Sequence, residues 1–134
     1  MNTKINHIAI VVEDIKAALA VYRDLVGLAV DHIAEETAEQ VRVAILSTEN
    51  GDIELVEPTS PDSGVAKFLA RQGEGLHHIC LEVEDMGTTV NQMKAHGLDV
   101  LGEPRINDRG EKYIFIHPKS AHGVLLELYE RNNL

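Results

Sequence analysis

The chain has 134 residues, of which 44% are hydrophobic and 25% charged, a composition typical of one folded globular domain rather than of a disordered or fibrous protein. Its 22 acidic and 12 basic residues give a formal charge of −10, which disfavours broad electrostatic attraction to nucleic acid or to an anionic membrane. No apolar run approaches the roughly 18 residues that a membrane helix needs, and the amino-terminal residues lack the pattern of a secretory signal. We therefore expect a cytoplasmic protein.

Two copies of one pattern follow each other along the chain. The run Asn6–Asp14 resembles the run His77–Asp85, which places His7 opposite His78 at an offset of 71 residues. Both runs are rich in β-branched apolar residues and therefore predict strands.

Each of these strands is followed by a predicted helix. Asp14 and Asp85 stand at N-cap positions, and Gly27 and Gly97 stand where the helices stop. Apolar residues recur between them at spacings of three and four, which predicts that each helix covers one face of a sheet. These residues are Ile15, Leu19, Tyr22 and Val26 in the first copy and Met86, Val90 and Met93 in the second.

Three further strands are predicted after each helix, with a tight turn at Asn50-Gly51. They are Leu28–Ile33, Val41–Ser47 and Ile53–Glu57 in the first copy and Leu98–Gly102, Lys112–His117 and Val124–Glu130 in the second. The prediction is a single α+β domain over residues 1–134, in which two tandem βαβββ modules form a curved mixed sheet around a metal site. Module one spans about residues 4–58, a joining helix about 64–73, and module two about 76–130.

Each closing strand contains one glutamate between apolar residues, Glu54 in the first copy and Glu127 in the second. Because side chains alternate along a strand, both glutamates are expected on the face that the helices leave uncovered. His7 and His78 share that face if the sheet curves. A single strand histidine is usually structural and a single strand glutamate usually faces water, but the recurrence of all four favours metal ligation.

Such a donor set restricts the metal. Two neutral imidazoles and two carboxylates neutralise a 2+ ion, and mixed nitrogen and oxygen ligands suit Co, Zn, Mn, Ni or Fe. The single cysteine, Cys80, excludes an intrachain disulfide and a multi-cysteine metal cluster. We expect Cys80 to serve packing rather than nucleophilic chemistry.

The order of these motifs resembles that of the vicinal oxygen chelate (glyoxalase-like) superfamily over nearly the whole chain, and the ending is similar to that of the methylmalonyl-CoA epimerase branch. The segments that carry the resemblance are Ile5–Ile10, Gly51–Pro58, Gly75–Ile79, His117–Ser120 and Gly123–Leu128.

This resemblance implies that His7, Glu54, His78 and Glu127 bind one divalent metal ion, with Co2+ favoured and Zn2+, Mn2+ or Ni2+ as alternatives. It implies interconversion of (R)- and (S)-methylmalonyl-CoA by removal and return of the α-proton, with the enolate stabilised by the metal. Glu127 is the first candidate for the catalytic base. Some family members have a second glutamate where this chain has Val43, so the second acid/base group is unassigned.

The implied partners are a CoA thioester substrate and a second copy of the chain in a homodimer. The basic residues of the second-module loops are either contacts for the CoA phosphates or ordinary solvated charges. They are Arg105, Arg109, Lys112 and Lys119.

Three other functions fit the same pattern. A lactoylglutathione lyase (glyoxalase I) uses the same type of cage for a hemithioacetal, and a substrate assay separates it from an epimerase. An Fe(II) ring-cleaving dioxygenase typically needs two histidines and one carboxylate, which four ligands argue against. A metal-independent small-molecule binding module of the same fold would not need four ligands.

Overall fold

The computed structural model describes residues 3–131. The strands are β1 (Lys4–Val11), β2 (Ala29–Glu36), β3 (Val41–Thr48), β4 (Gly51–Pro58), β5 (Gly75–Val83), β6 (Val100–Ile106), β7 (Lys112–Ile116) and β8 (Leu126–Glu130). The helices are α1 (Ile15–Leu19), α2 (Gly64–Gln72) and α3 (Met86–Ala95), with a π-helical segment at Ala20–Leu25 and 3-10 turns at Thr37–Glu39 and Pro118–Ala121. This element order confirms the predicted βαβββ repeat and its joining helix.

The chain separates into two compact units. The first unit is His7–His77, and the second contains the described residues up to Asn6 together with those from His78 onward. Within residues 3–131, the helices are all too short or too polar to cross a membrane.

Strands of the first unit follow the hydrogen-bonded order β2-β3-β4-β1. The pair β1–β4 is parallel, whereas β2–β3 and β3–β4 are antiparallel. Asp14 caps α1 by accepting a hydrogen bond from the Lys16 amide at 2.9 Å, as its N-cap position predicted. One face of this sheet packs Leu46 and Leu55 against α1.

The opposite face of the first sheet has its own apolar cluster, which includes Ala9, Val43, Ile45 and Val56 and packs on Val65 of α2. The joining segment is therefore packed against the sheet. Glu54 lies on this face, because it is the register partner of both Ala9 and Ile45.

The second unit repeats the arrangement with the order β5-β8-β7-β6. Its β5–β8 pair is parallel, and its other two pairs are antiparallel. Asp85 caps α3 by accepting from the Thr88 amide at 3.0 Å. Met86 and Val90 of α3 pack on Ile116 and Leu128 of the sheet.

The first helix of the repeat differs from its copy by one residue. Gly27 follows Asp14 by 13 residues, whereas Gly97 follows Asp85 by 12. The additional residue is accommodated in the π-helical segment, where the Val26 amide donates to the carbonyl of Val21 at 2.9 Å, five residues earlier. The first helix therefore accommodates one additional residue and still ends at the equivalent glycine.

Candidate active site

The first unit contains a buried histidine–glutamate pair. His7 lies on β1 and Glu54 on the neighbouring parallel strand β4. The Nδ1 atom of His7 is 3.2 Å from Oε2 of Glu54, and the two residues are 1% and 5% exposed. Burial of a carboxylate without a partner is costly. The adjacent imidazole supplies a polar partner and thereby lowers the cost of burying Glu54 in an apolar strand.

The second unit contains the equivalent pair. His78 lies on β5 and Glu127 on the parallel strand β8, and the Nε2 atom of His78 is 2.9 Å from Oε1 of Glu127. Their side chains are 9% and 6% exposed. Each unit thus supplies one imidazole and one carboxylate, as the repeated sequence pattern predicted.

The geometry of each pair fits two neighbouring ligands of one cation. Two ligand atoms about 2.1 Å from an ion, and at right angles to one another, are about 3.0 Å apart. The nitrogen–oxygen separations of 3.2 Å and 2.9 Å bracket this value. Imidazole and carboxylate groups are also the donor types that divalent transition metals bind in proteins. Each pair therefore fits a divalent metal in both chemistry and spacing.

Aromatic rings surround the pair of the second unit. Phe115 on β7 is the register partner of Glu127, and its ring lies edge-on to His78 with the ring centroids 5.2 Å apart. Tyr113 is the register partner of Tyr129, which follows Glu127 by two residues on the same face of β8. We call the side of this sheet away from α3 the aromatic face; it consists of His78, Cys80, Tyr113, Phe115, Glu127 and Tyr129.

Cys80 is fully buried on the aromatic face. It is the register partner of Glu127, and its Sγ atom lies within 4.8 Å of a carboxylate oxygen of that residue. It packs in a cluster with Tyr113 and Tyr129. These contacts support the expected packing role of the thiol.

A loop arginine extends the aromatic face. Arg109 lies in the turn between β6 and β7, and its Nη2 atom donates to the Tyr129 hydroxyl at 3.2 Å. Asn107 of the same turn donates to that hydroxyl at 3.4 Å. Arg109 also forms an ion pair with Glu111 at 3.3 Å. From the sequence, Arg109 was only a candidate phosphate contact, and no signal in the residue pattern indicated its contact with Tyr129.

The structure also shows the surroundings of three further polar or apolar candidates. Val43 is 3% exposed inside the apolar cluster of the first unit, so it supplies no acid/base group. Glu39, four residues before Val43, is half-buried in a 3-10 turn. Lys112 forms an ion pair with Glu130 at 3.6 Å.

The chain belongs to the glyoxalase/bleomycin resistance protein/dioxygenase superfamily, whose model matches residues 6–115. It is 40% identical over 128 residues to an ethylmalonyl-CoA/methylmalonyl-CoA epimerase of Cereibacter sphaeroides, a match that covers 93% of this chain and 96% of the relative.

Solved structures show the same similarity. One is a methylmalonyl-CoA epimerase in complex with methylmalonyl-CoA and NH4+, with 37% identity, a TM-score of 0.89 and coverage of 97% of this chain and 95% of the other. Another is a variant of the Streptomyces coelicolor methylmalonyl-CoA epimerase in complex with 2-nitronate-propionyl-CoA, with 36% identity, a TM-score of 0.88 and coverage of 99% and 100%. The predicted α+β glyoxalase-like fold is thereby confirmed.

Proposed function

We propose that this chain interconverts the (R) and (S) epimers of methylmalonyl-CoA, which makes it an isomerase of the racemase and epimerase class. The observation that carries this proposal is the similarity, over almost the whole chain, to a structure of a methylmalonyl-CoA epimerase with methylmalonyl-CoA. The related enzyme of Cereibacter sphaeroides has the same substrate in its name, together with ethylmalonyl-CoA.

The proposed ligands of a divalent metal ion are His7, Glu54, His78 and Glu127. Their donor types and the spacing within each pair support this assignment. When bound, such a cation supplies positive charge that stabilises the negative charge developing on the substrate oxygens as the α-proton leaves. Co2+ is the first candidate, with Zn2+, Mn2+ and Ni2+ as alternatives.

Glu127 is the proposed base that removes the α-proton, and the group that delivers a proton to the opposite face of the α-carbon is unassigned. Its carboxylate is buried and lies beside His78, so it is held in a defined position with little solvent around it. The proton leaves the α-carbon for a carboxylate oxygen of Glu127, and the electron pair of the broken bond moves toward the thioester carbonyl. Inversion requires that a proton return on the other face of the α-carbon.

Two further properties belong to this proposal. A homodimer is the proposed assembly, which size-exclusion chromatography with light scattering tests. The cytoplasm is the proposed location, and the single, buried cysteine is compatible with a reducing compartment.

The proposal is tested by incubating metal-reconstituted protein with one epimer of methylmalonyl-CoA in D2O. Stereochemistry and α-deuterium content are followed together, and an EDTA-treated sample is the control. The expected result is deuterium incorporation with inversion that requires the metal. Exchange that persists in full after metal removal contradicts the metal role, and the lack of exchange with Co2+, Zn2+, Mn2+ and Ni2+ contradicts the epimerase function. Lactoylglutathione-lyase substrates and then metal-independent ligand binding would be tested next.

A further inference from the structure

Tyr129 closes the aromatic face on one side of Glu127. Successive same-face residues of a strand lie roughly 6.6 Å apart, so Tyr129 is the nearest neighbour of Glu127 along β8 in this direction. Tyr129 is 5% exposed, and its neighbours Tyr113 and Cys80 are 3% and 0% exposed. A group that reaches from Glu127 toward Tyr129 therefore meets packed side chains rather than solvent.

The Tyr129 ring is held in place from its far end. Its hydroxyl accepts hydrogen bonds from Arg109 and Asn107. These two residues belong to a turn that is itself fixed, since the Asn107 carboxamide oxygen accepts from the backbone amides of Arg109 at 3.0 Å and Glu111 at 2.9 Å. Displacing the ring would break hydrogen bonds to a buried hydroxyl, which is unfavourable.

Tyr129 also borders a cavity. A cavity of about 500 Å³ in the second unit is lined by Tyr129 and by polar residues that include Glu82, Glu111 and Arg131, whereas Glu127 is not among its lining residues. Tyr129 thus borders this cavity and also shares a strand face with Glu127, so a smaller side chain at this position would add space beside Glu127.

We propose that Tyr129 is a specificity-determining residue that limits the size of the 2-alkyl substituent next to Glu127, so that the chain accepts a methyl group and discriminates against an ethyl group. This inference depends on the proposed epimerase function, which places the substituted α-carbon at Glu127. One additional methylene in a closed pocket changes kcat/KM by about 10- to 200-fold.

The test compares kcat/KM for methylmalonyl-CoA and ethylmalonyl-CoA in the metal-reconstituted protein. The wild type is expected to prefer the methyl substrate by at least about tenfold. Tyr129→Leu replaces the ring by a smaller aliphatic side chain and is expected to reduce this preference about tenfold. Tyr129→Phe keeps the ring and removes only the hydroxyl, so its preference should stay within about threefold of the wild type. Circular dichroism and thermal melting verify the fold of each variant.

Three results would overturn the inference: equal use of both substrates by the wild type, an unchanged preference in folded Tyr129→Leu, or the same loss of preference in Tyr129→Phe as in Tyr129→Leu. If Tyr129→Leu does not fold, Tyr129→Met takes its place under the same criteria, because the flexible methionine side chain fills irregular space more readily. A wild type that is inactive with both epimers of either substrate contradicts the proposed function itself, and is thereby distinguished from a failure of this inference.

Discussion

The two histidine–glutamate pairs are buried, although all four side chains can carry a charge. Glu54 and Glu127 are each 5% exposed, and each has an imidazole nitrogen within 3.2 Å. Removing one partner of a buried polar pair leaves the other poorly solvated, which costs about 1–3 kcal/mol or more for a charged group. Substitutions at these residues are therefore expected to change stability as well as activity, and functional readouts need a folding control.

His78 and Glu127 are expected to differ in how their loss affects the protein. His78→Ala removes a ligand and should lower the metal affinity at least about tenfold together with the activity. Glu127→Gln keeps an oxygen donor but loses the base, so we expect metal retention with at least a 100-fold decrease in epimerisation, on the order of the contribution of a general base. Elemental analysis after dialysis, combined with the deuterium assay, measures both effects.

His32→Ala is the matched control for this pair of variants. This imidazole is exposed on β2 and contacts Asp31 at 2.6 Å, so its removal should leave metal content and activity unchanged. Wild-type activity in folded His78→Ala or Glu127→Gln would refute the roles assigned to those residues.

At the scale of single elements, the first helix shows how a one-residue insertion is tolerated. Its two buried positions, Ile15 and Leu19, precede the π-helical segment, which has no buried residues of its own. The widened turn thus lies on the exposed part of the helix, where a change of register disturbs little packing. α3, which lacks the additional residue, is regular from Met86 to Ala95.

Deletion of Leu25, which is 81% exposed, should convert the widened turn into ordinary α-helix. The hydrogen bond from the Val26 amide to the Val21 carbonyl then spans four residues instead of five. Because Ile15 and Leu19 keep their positions, we expect a Tm within about 4 °C of the wild type. Thermal melting and far-ultraviolet circular dichroism measure the outcome.

Deletion of Gln92 from α3 is the contrasting variant. This helix lacks the additional residue. The deletion would therefore rotate Met93 and Leu98, which pack against the sheet, out of register. A decrease in Tm of more than about 8 °C is expected. Equal Tm values for the two deletions would argue against the insertion interpretation.

At the scale of the whole molecule, a repeated pattern made the fold and the two pairs predictable. Apolar runs with period two, capping aspartates and terminal glycines each appear twice, and a glutamate at the same position of both closing strands indicates a shared role rather than two solvent-exposed side chains. The Arg109 contact with Tyr129 was not predictable, because the reach of a loop side chain depends on turn geometry that one sequence does not specify. Nor did the residue spacing show that the extra residue of the first helix would form a π-helical segment rather than lengthen the loop.

The net charge of −10 gives a prediction about the substrate. A CoA thioester of a dicarboxylic acid is itself strongly anionic, so the chain as a whole repels it. Added salt screens this repulsion, because the Debye length falls from about 30 Å at 0.01 M to about 8 Å at 0.15 M ionic strength. We expect kcat/KM to rise about threefold over this range while kcat stays constant. A decrease with salt would instead indicate that local basic residues dominate the encounter.

The strand pairing of the first unit affects how the protein folds during its synthesis on the ribosome. Because β1 pairs with β4, all strand pairs of this unit can form once Pro58 has left the ribosome. At that point β8, which begins at Leu126, has not yet been synthesised. The second unit includes the described residues up to Asn6, and the Asn6 carboxamide donates to Glu82 at 3.0 Å. Asn6 must therefore remain accessible while the first unit folds, until the strands of the second unit have been synthesised.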